Sequence, residues 1–176
     1  MARPRTFDET QAVRHAVHVF WSRGYPACGV RELCDAMGIQ SGSFYATFGS
    51  KASLFERAID QYVEDLGLPH PSPAAARTYL DLIASDRHPT GCLLAVSAAE
   101  RDVLEPGGQE AVTRQLERLE GWLHACVATR PDAAAQAALL STVAWGLQVQ
   151  HRAGVPLQAL RERVGHVASI LDLPGG

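Results

Sequence analysis

The run Gly38-Ile39-Gln40-Ser41-Gly42-Ser43-Phe44-Tyr45-Ala46-Thr47-Phe48-Gly49-Ser50-Lys51 sets hydroxyls, small side chains and one cation at helical spacing. At about 100° per residue, Phe44 and Phe48 point the same way, and Gly42 and Ala46 fall on the opposite face beside Ser43 and Tyr45. The two phenylalanines are the expected inward anchors. The opposite face buries little area, and it lets a backbone approach a partner closely. The hydroxyls of Ser43 and Tyr45 suit phosphate oxygens, and the Ala46 methyl suits a thymine methyl. Ser50 is a good N-cap for a following helix. Lys51 then sits in a first turn, where the helix dipole disfavours a cation. A phosphate bound at that N-terminus would offset the cost; the plainer alternative is an ordinary surface lysine.

The preceding element fits this reading. Val30, Leu33, Cys34 and Met37 form one apolar face, and Gly38 suits a left-handed helix end. Ile39 is placed to plug the angle between two helices. Turn and short helix together form a helix-turn-helix, a geometry that can set a short helix in the major groove of DNA. With Arg31 and Ser41, the candidate DNA-contacting set is Arg31, Ser41, Gly42, Ser43, Tyr45, Ala46 and Lys51.

The segment from Phe7 to Leu54 resembles the DNA-binding domain of the TetR family of bacterial repressors. The matching residues include Ala16, Phe20, Gly24, Tyr25, Leu33, Ala36, Gly38, Ile39, Gly42, Phe44, Tyr45, Phe48, Ser50, Lys51 and Leu54. The chain departs from the family pattern at Gly29, Ser41, Ala46 and Thr47, so no relative's operator can be transferred to it. The resemblance implies an all-α fold of about nine helices: an N-terminal three-helix helix-turn-helix domain (residues 1–50) and a C-terminal helical ligand-binding and dimerisation domain (residues 51–176). It also implies a homodimer, with the last two helices of each subunit in a four-helix interface. Double-stranded DNA with a palindromic operator and a small-molecule effector are the implied partners. No cofactor is implied.

Composition is compatible with this. The chain has 176 residues, 47% of them hydrophobic, enough for a real core. Net charge is −3, yet six basic against four acidic residues up to Leu54 leave that part at +2. Arg3 and Arg5 precede the first helix and are placed to act as an arm on phosphates or a minor groove; the bland alternative is two solvated arginines. No apolar run approaches the ~18 residues of a membrane span, and no signal-peptide core opens the chain. A cytoplasmic protein is expected. Cys28, Cys34, Cys92 and Cys126 form no CxxC pair, so structural disulfides are not expected.

The expected elements are helices throughout. The first runs from Asp8 to Arg23, capped by Thr6 or Asp8, and the fourth from Lys51 to Leu66. Three prolines between Gly67 and Pro73 mark a break between the DNA-reading unit and the rest. Helices follow over Ala74–Ser85, Cys92–Leu104, Gln109–Thr129, Ala133–Ala153 and Leu157–Leu171, with Pro106-Gly107-Gly108 read as a second break. The segment Ala133–Ala153 is apolar nearly all round and must be covered on every side, by a partner subunit or as the central helix of a monomer.

Candidate ligand-binding residues are Tyr79, Cys92, Trp122, Cys126, Trp145 and Gln148, apolar and aromatic walls with a few polar groups. The segment Gly91–Glu100 resembles a TetR branch that includes sensors of reactive electrophiles, in which the cysteine after this glycine reacts. The expected position of Cys92 at a helix N-terminus would favour its thiolate; the alternative is a small buried hydrophobe. His15 and His18 share a helix face, but no third ligand is near, and no metal site is expected. The chain lacks HExxH, GxSxG and P-loop patterns. A non-enzymatic, ligand-responsive repressor is therefore the expected function. The alternative is a helical enzyme or small-molecule-binding protein with an incidental helix-turn-helix.

Overall fold

Capping chemistry starts the first helix. The Asp8 carboxylate accepts the N–H groups of Thr10 (2.8 Å) and Gln11 (3.2 Å), and α1 (Glu9–Arg23) follows. The computed structural model describes residues 7–86 and 91–175. Arg3, Arg5 and Thr6, singled out above, lie outside those residues. The next helices are α2 (Val30–Met37), α3 (Ser41–Phe48) and α4 (Lys51–Asp65). Then come α5 (Pro73–Ile83), α6 (Leu93–Ala99), α7 (Pro106–Val127), α8 (Ala133–Arg152) and α9 (Leu157–Ile170). The described residues thus hold nine α-helices, one 3-10 turn at Arg101–Val103 and no strand. None of these helices is long and apolar enough to cross a membrane.

The chain forms two compact units, which differ from a division at residue 50. The first comprises the described residues up to Leu66 together with Val96–Gln115; the second comprises Gly67–Ala95 and the chain from Leu116 onward. The fourth helix joins the first three because it packs along α1, with Arg14–Asp65 (2.8 Å) and Arg57–Glu9 (3.0 Å) bridging the pair. Aromatic edges fill the core between them. Phe20 meets Phe55 at 5.1 Å and 82°, and Trp21 meets Tyr62 at 5.0 Å and 80°.

Two sequence expectations are corrected in this unit. The helix expected over Cys92–Leu104 stops at Ala99. Glu100 leaves helical geometry, and its carboxylate instead accepts the backbone N–H of Tyr25 at 2.8 Å. Pro106-Gly107-Gly108 is no break, because it forms the first turn of α7. Proline is tolerated at a first helical position. The glycines let this turn close onto α4, where a Cβ at residue 108 would stand 3.2 Å from the Phe55 ring.

In the second unit α5, α8 and α9 surround a core that includes Leu80, Leu123, Leu140, Leu147, Leu160 and Val164. On α8, Ala137, Leu140, Ala144 and Leu147 are buried, whereas Leu139 and Val149 remain 45% and 60% exposed. Gly91 enters this unit at φ +82°, where a Cβ would lie 3.0 Å from Arg152 Cβ and 3.3 Å from the Gln148 carbonyl oxygen. Gly91→Ala is expected to destabilise the protein by about 1–3 kcal/mol, from backbone strain plus the clash. Gly121→Ala, at an open helical position, is expected to stabilise it by about 1 kcal/mol. Thermal melting of the two variants checks the opposite signs.

Candidate nucleic-acid interface

The short helix α3 is oriented by its two large side chains. Phe44 and Phe48 are buried, with ring centroids 5.8 Å apart, and Arg57 of α4 lies 4.9 Å over the Phe48 ring. The turn before it is tight. Gly38 is left-handed at φ 67° and ψ 30°, and the N–H of Ile39 returns to the Cys34 carbonyl at 3.0 Å. With the phenylalanines held inside, Ser41, Gly42, Ser43, Tyr45 and Ala46 all face outward. Tyr45 is 55% exposed, its ring edge-on to Phe44 at 5.1 Å. Arg31 is exposed on α2. Nothing lies within 4 Å of a Cβ built on Gly42, so no intramolecular packing demands glycine there.

Ser50 caps α4 as its type predicts, accepting the Ser53 N–H at 3.1 Å. Lys51 is placed otherwise than the sequence suggests. Its ammonium turns inward and donates to the carbonyl oxygens of Tyr25 (3.0 Å) and Cys28 (3.1 Å), 4.0 Å from the Tyr25 ring centroid. These carbonyl dipoles supply the negative charge that a phosphate was expected to provide. Lys51 is thus half-buried and held by its own domain in the absence of DNA.

The second unit encloses a cavity lined by Tyr79, Cys92, Leu94, Ala95, Leu116, Leu119, Trp145 and Gln148. Four of the six candidate ligand residues converge there. Trp122 and Cys126 line none of it. The Trp122 ring backs the Tyr79 ring at 5.7 Å, and its Nε1 donates to the Pro69 carbonyl at 2.9 Å. Cys126 is buried in the core, and that burial pushes its thiol pKa up. The Gln148 amide donates to the Tyr79 hydroxyl at 3.4 Å, and burial raises the Tyr79 pKa further above its ordinary value. The free volume is about 10 Å³, on the order of one water molecule. Cys92 is buried and lies just ahead of a seven-residue α6, outside the helix expected to begin at it. Leu94, Ala95, Leu116 and Leu119 were missed as walls. The three-residue spacing of Leu116 and Leu119 marked one face of α7, but nothing in it distinguished a cavity wall from core. All four cysteines are buried and free of disulfides, and burial raises the Cys28 thiol to about 11.

A profile of bacterial regulatory proteins of the tetR family matches residues 13–58, the span that builds this turn and helix. The HTH-type transcriptional repressor BdcR of Escherichia coli (strain K12) is 31% identical over 178 residues, an overlap covering 90% of this chain and 86% of BdcR. The chain belongs to the TetR family. It is a DNA-binding transcriptional regulator. Among solved structures, a cysteine mutant of the TetR-family regulator CifR, complexed with 26-base-pair operator DNA, is 28% identical at a TM-score of 0.77, covering 94% of this chain and 97% of that one. A TetR regulator from Chloroflexus aurantiacus J-10-FL is 25% identical at a TM-score of 0.78, covering 93% and 94%.

For a TetR-family helix-turn-helix, the empty space over Gly42 has a measurable consequence. Glycine inside a helix costs roughly 1 kcal/mol relative to alanine, and no internal contact recovers that cost. Gly42→Ala is therefore expected to raise thermal stability by up to that amount while weakening duplex binding about tenfold or more. Paired melting and fluorescence anisotropy measure both effects.

Proposed function

We propose that this regulator is a homodimeric repressor that binds a palindromic operator through α3 and leaves it when a small molecule or electrophile enters the cavity beside Cys92. The observation that carries the reading is the outward face Ser41, Gly42, Ser43, Tyr45 and Ala46, held out by buried Phe44 and Phe48. A face of small and hydroxylated side chains suits close approach to phosphates and base edges. CifR, similar along nearly its whole length, is complexed with operator DNA. Arg31, Ser41, Ser43 and Tyr45 would supply the polar contacts, Gly42 the close approach and Ala46 an apolar contact. The chain acts by binding and catalyses nothing, and it works in the cytoplasm, where bacterial DNA lies.

Leu139 and Val149 on α8 and Ile170 on α9, the last 78% exposed, give the dimer an apolar seam. A two-fold protein matches a two-fold operator. The effector works by preferring a spacing of the two heads that the operator does not accept.

The cavity favours a small reactive effector over a large one. Sites that hold drug-sized ligands without rearrangement measure roughly 300–1,000 Å³, far above the space here. A compact electrophile needs less opening, and the Cys92 thiol offers it a nucleophile.

A gel shift with genomic fragments tests the DNA reading. Specific retention is expected for the wild type and is expected to be lost, by about tenfold or more, in Tyr45→Ala. Equal retention of every fragment at moderate salt would refute it. Acrolein is expected to release the wild type and to leave Cys92→Ser on the DNA; release of both removes Cys92 from the mechanism. Val149→Arg is expected to yield monomers in sedimentation at micromolar concentration, and an unchanged dimer would move the seam elsewhere.

A further inference from the structure

The small cavity of the second unit sets a thiol, a phenol and an amide, those of Cys92, Tyr79 and Gln148, among leucine and alanine walls. Tyr79 and Gln148 are only 4% and 8% exposed, so bulk water does not compete for their polar atoms. The Gln148 amide donates to the Tyr79 hydroxyl at 3.4 Å. The hydroxyl is the acceptor in that contact, and among the described residues its own proton meets no acceptor. Burial raises the Tyr79 pKa, which keeps the group a proton-bearing phenol. A buried donor without an acceptor costs free energy, and an oxygen atom of a ligand recovers it.

Two contacts fix these groups. The Trp122 ring stands edge-on to the Tyr79 ring at 5.7 Å and 75°, which holds the phenol in place. Gly91 approaches α8 so closely that a Cβ there would lie 3.3 Å from the Gln148 carbonyl oxygen. Cys92 is the next residue, so its position is set from the turn of α8 that carries Gln148. The thiol and the phenol border one space of about 10 Å³, on the order of one water molecule. A molecule of a few heavy atoms bonded to Cys92 Sγ therefore comes within reach of the phenol.

We propose that Tyr79 is the specificity-determining hydrogen-bond donor of this site, and that it selects small conjugated carbonyls, the enals and enones, for addition to Cys92. The proposal rests on the reading of Cys92 as the reacting thiol. Cys92 Sγ bonds to the β-carbon of the ligand, and the π pair of its C=C bond shifts toward the carbonyl. The carbonyl oxygen becomes an enolate oxygen, and the Tyr79 O–H donates to it as that charge develops. The thiol proton ends on the α-carbon, the C=O bond is restored, and a thioether remains, with no leaving group and no oxidant. The adduct is larger than the space present, and the new C–S bond holds it there while the walls give way. An electrophile without an acceptor oxygen leaves the phenol proton unpaired, which is how such a site discriminates.

Acrolein and allyl bromide share a three-carbon skeleton, and only acrolein carries a carbonyl. The test treats the reduced full-length protein with each reagent and follows modification of Cys92 by peptide mass mapping. Wild type, Tyr79→Phe and Gln148→Met are compared at a temperature where circular dichroism shows them folded. Tyr79→Phe is expected to slow acrolein addition about tenfold or more and to leave allyl bromide within about twofold of the wild type. Gln148→Met removes the donor that orients the phenol, and it is expected to slow acrolein about threefold with the same indifference to allyl bromide. If Tyr79→Phe does not fold, the ratio of the two rates in Gln148→Met decides by the same criterion. Equal slowing of both reagents would make Tyr79 a packing residue and overturn the proposal. An acrolein rate unchanged in Tyr79→Phe would overturn it too. In either case a wild type modified at Cys92 leaves the electrophile reading standing. A wild type whose Cys92 acrolein leaves untouched sinks that reading, and the proposal with it.

Discussion

The burial of Phe44 and Phe48 is the constraint on which the candidate interface depends. An isolated eight-residue helix is not stable in water, because nucleation is costly and few bonds follow. Tertiary contacts must hold α3, and these two rings are its buried side chains. Each fully buried phenylalanine contributes roughly 1.5–3 kcal/mol. With the inward face carrying the stability, the outward face is released from packing. It holds glycine, serine, alanine and one exposed tyrosine, a composition that stabilises nothing internal and admits a close neighbour.

The second unit solves a different problem. It holds a cavity of about 10 Å³ lined in part by a thiol, a phenol and an amide. A space this small cannot hold a drug-sized ligand without movement of its walls. A ligand shifts an equilibrium only by its differential affinity for two states.

Much of the helix order was legible from local chemistry. Asp8 and Ser50 cap helices as their side chains predict, and Gly38 takes the left-handed conformation its position calls for. Elements failed where a distant residue competed with a local rule. Glu100 looked like one more helical residue, but the helix stops at Ala99 and the Glu100 carboxylate meets the backbone N–H of Tyr25, 75 positions away. Pro106-Gly107-Gly108 looked like punctuation, but Gly108 packs against the Phe55 ring and Gly107 against the Glu56 carboxylate. Trp122 and Cys126 shared the composition of the cavity walls and faced elsewhere. Helical periodicity reports which side of a helix is apolar and says nothing of what packs there.

The sequence by itself determined the family, the helical class and the outward identity of the α3 face. The family and the helical class follow from the resemblance over residues 7–54, and the α3 face from spacing along one short element, where neighbours in the chain are neighbours in space. Tertiary structure alone decided where Lys51 points, which aromatics enclose Cys92 and how little room they leave. Those depend on groups far apart in sequence meeting at distances of about 3–4 Å, and no local pattern encodes such a meeting.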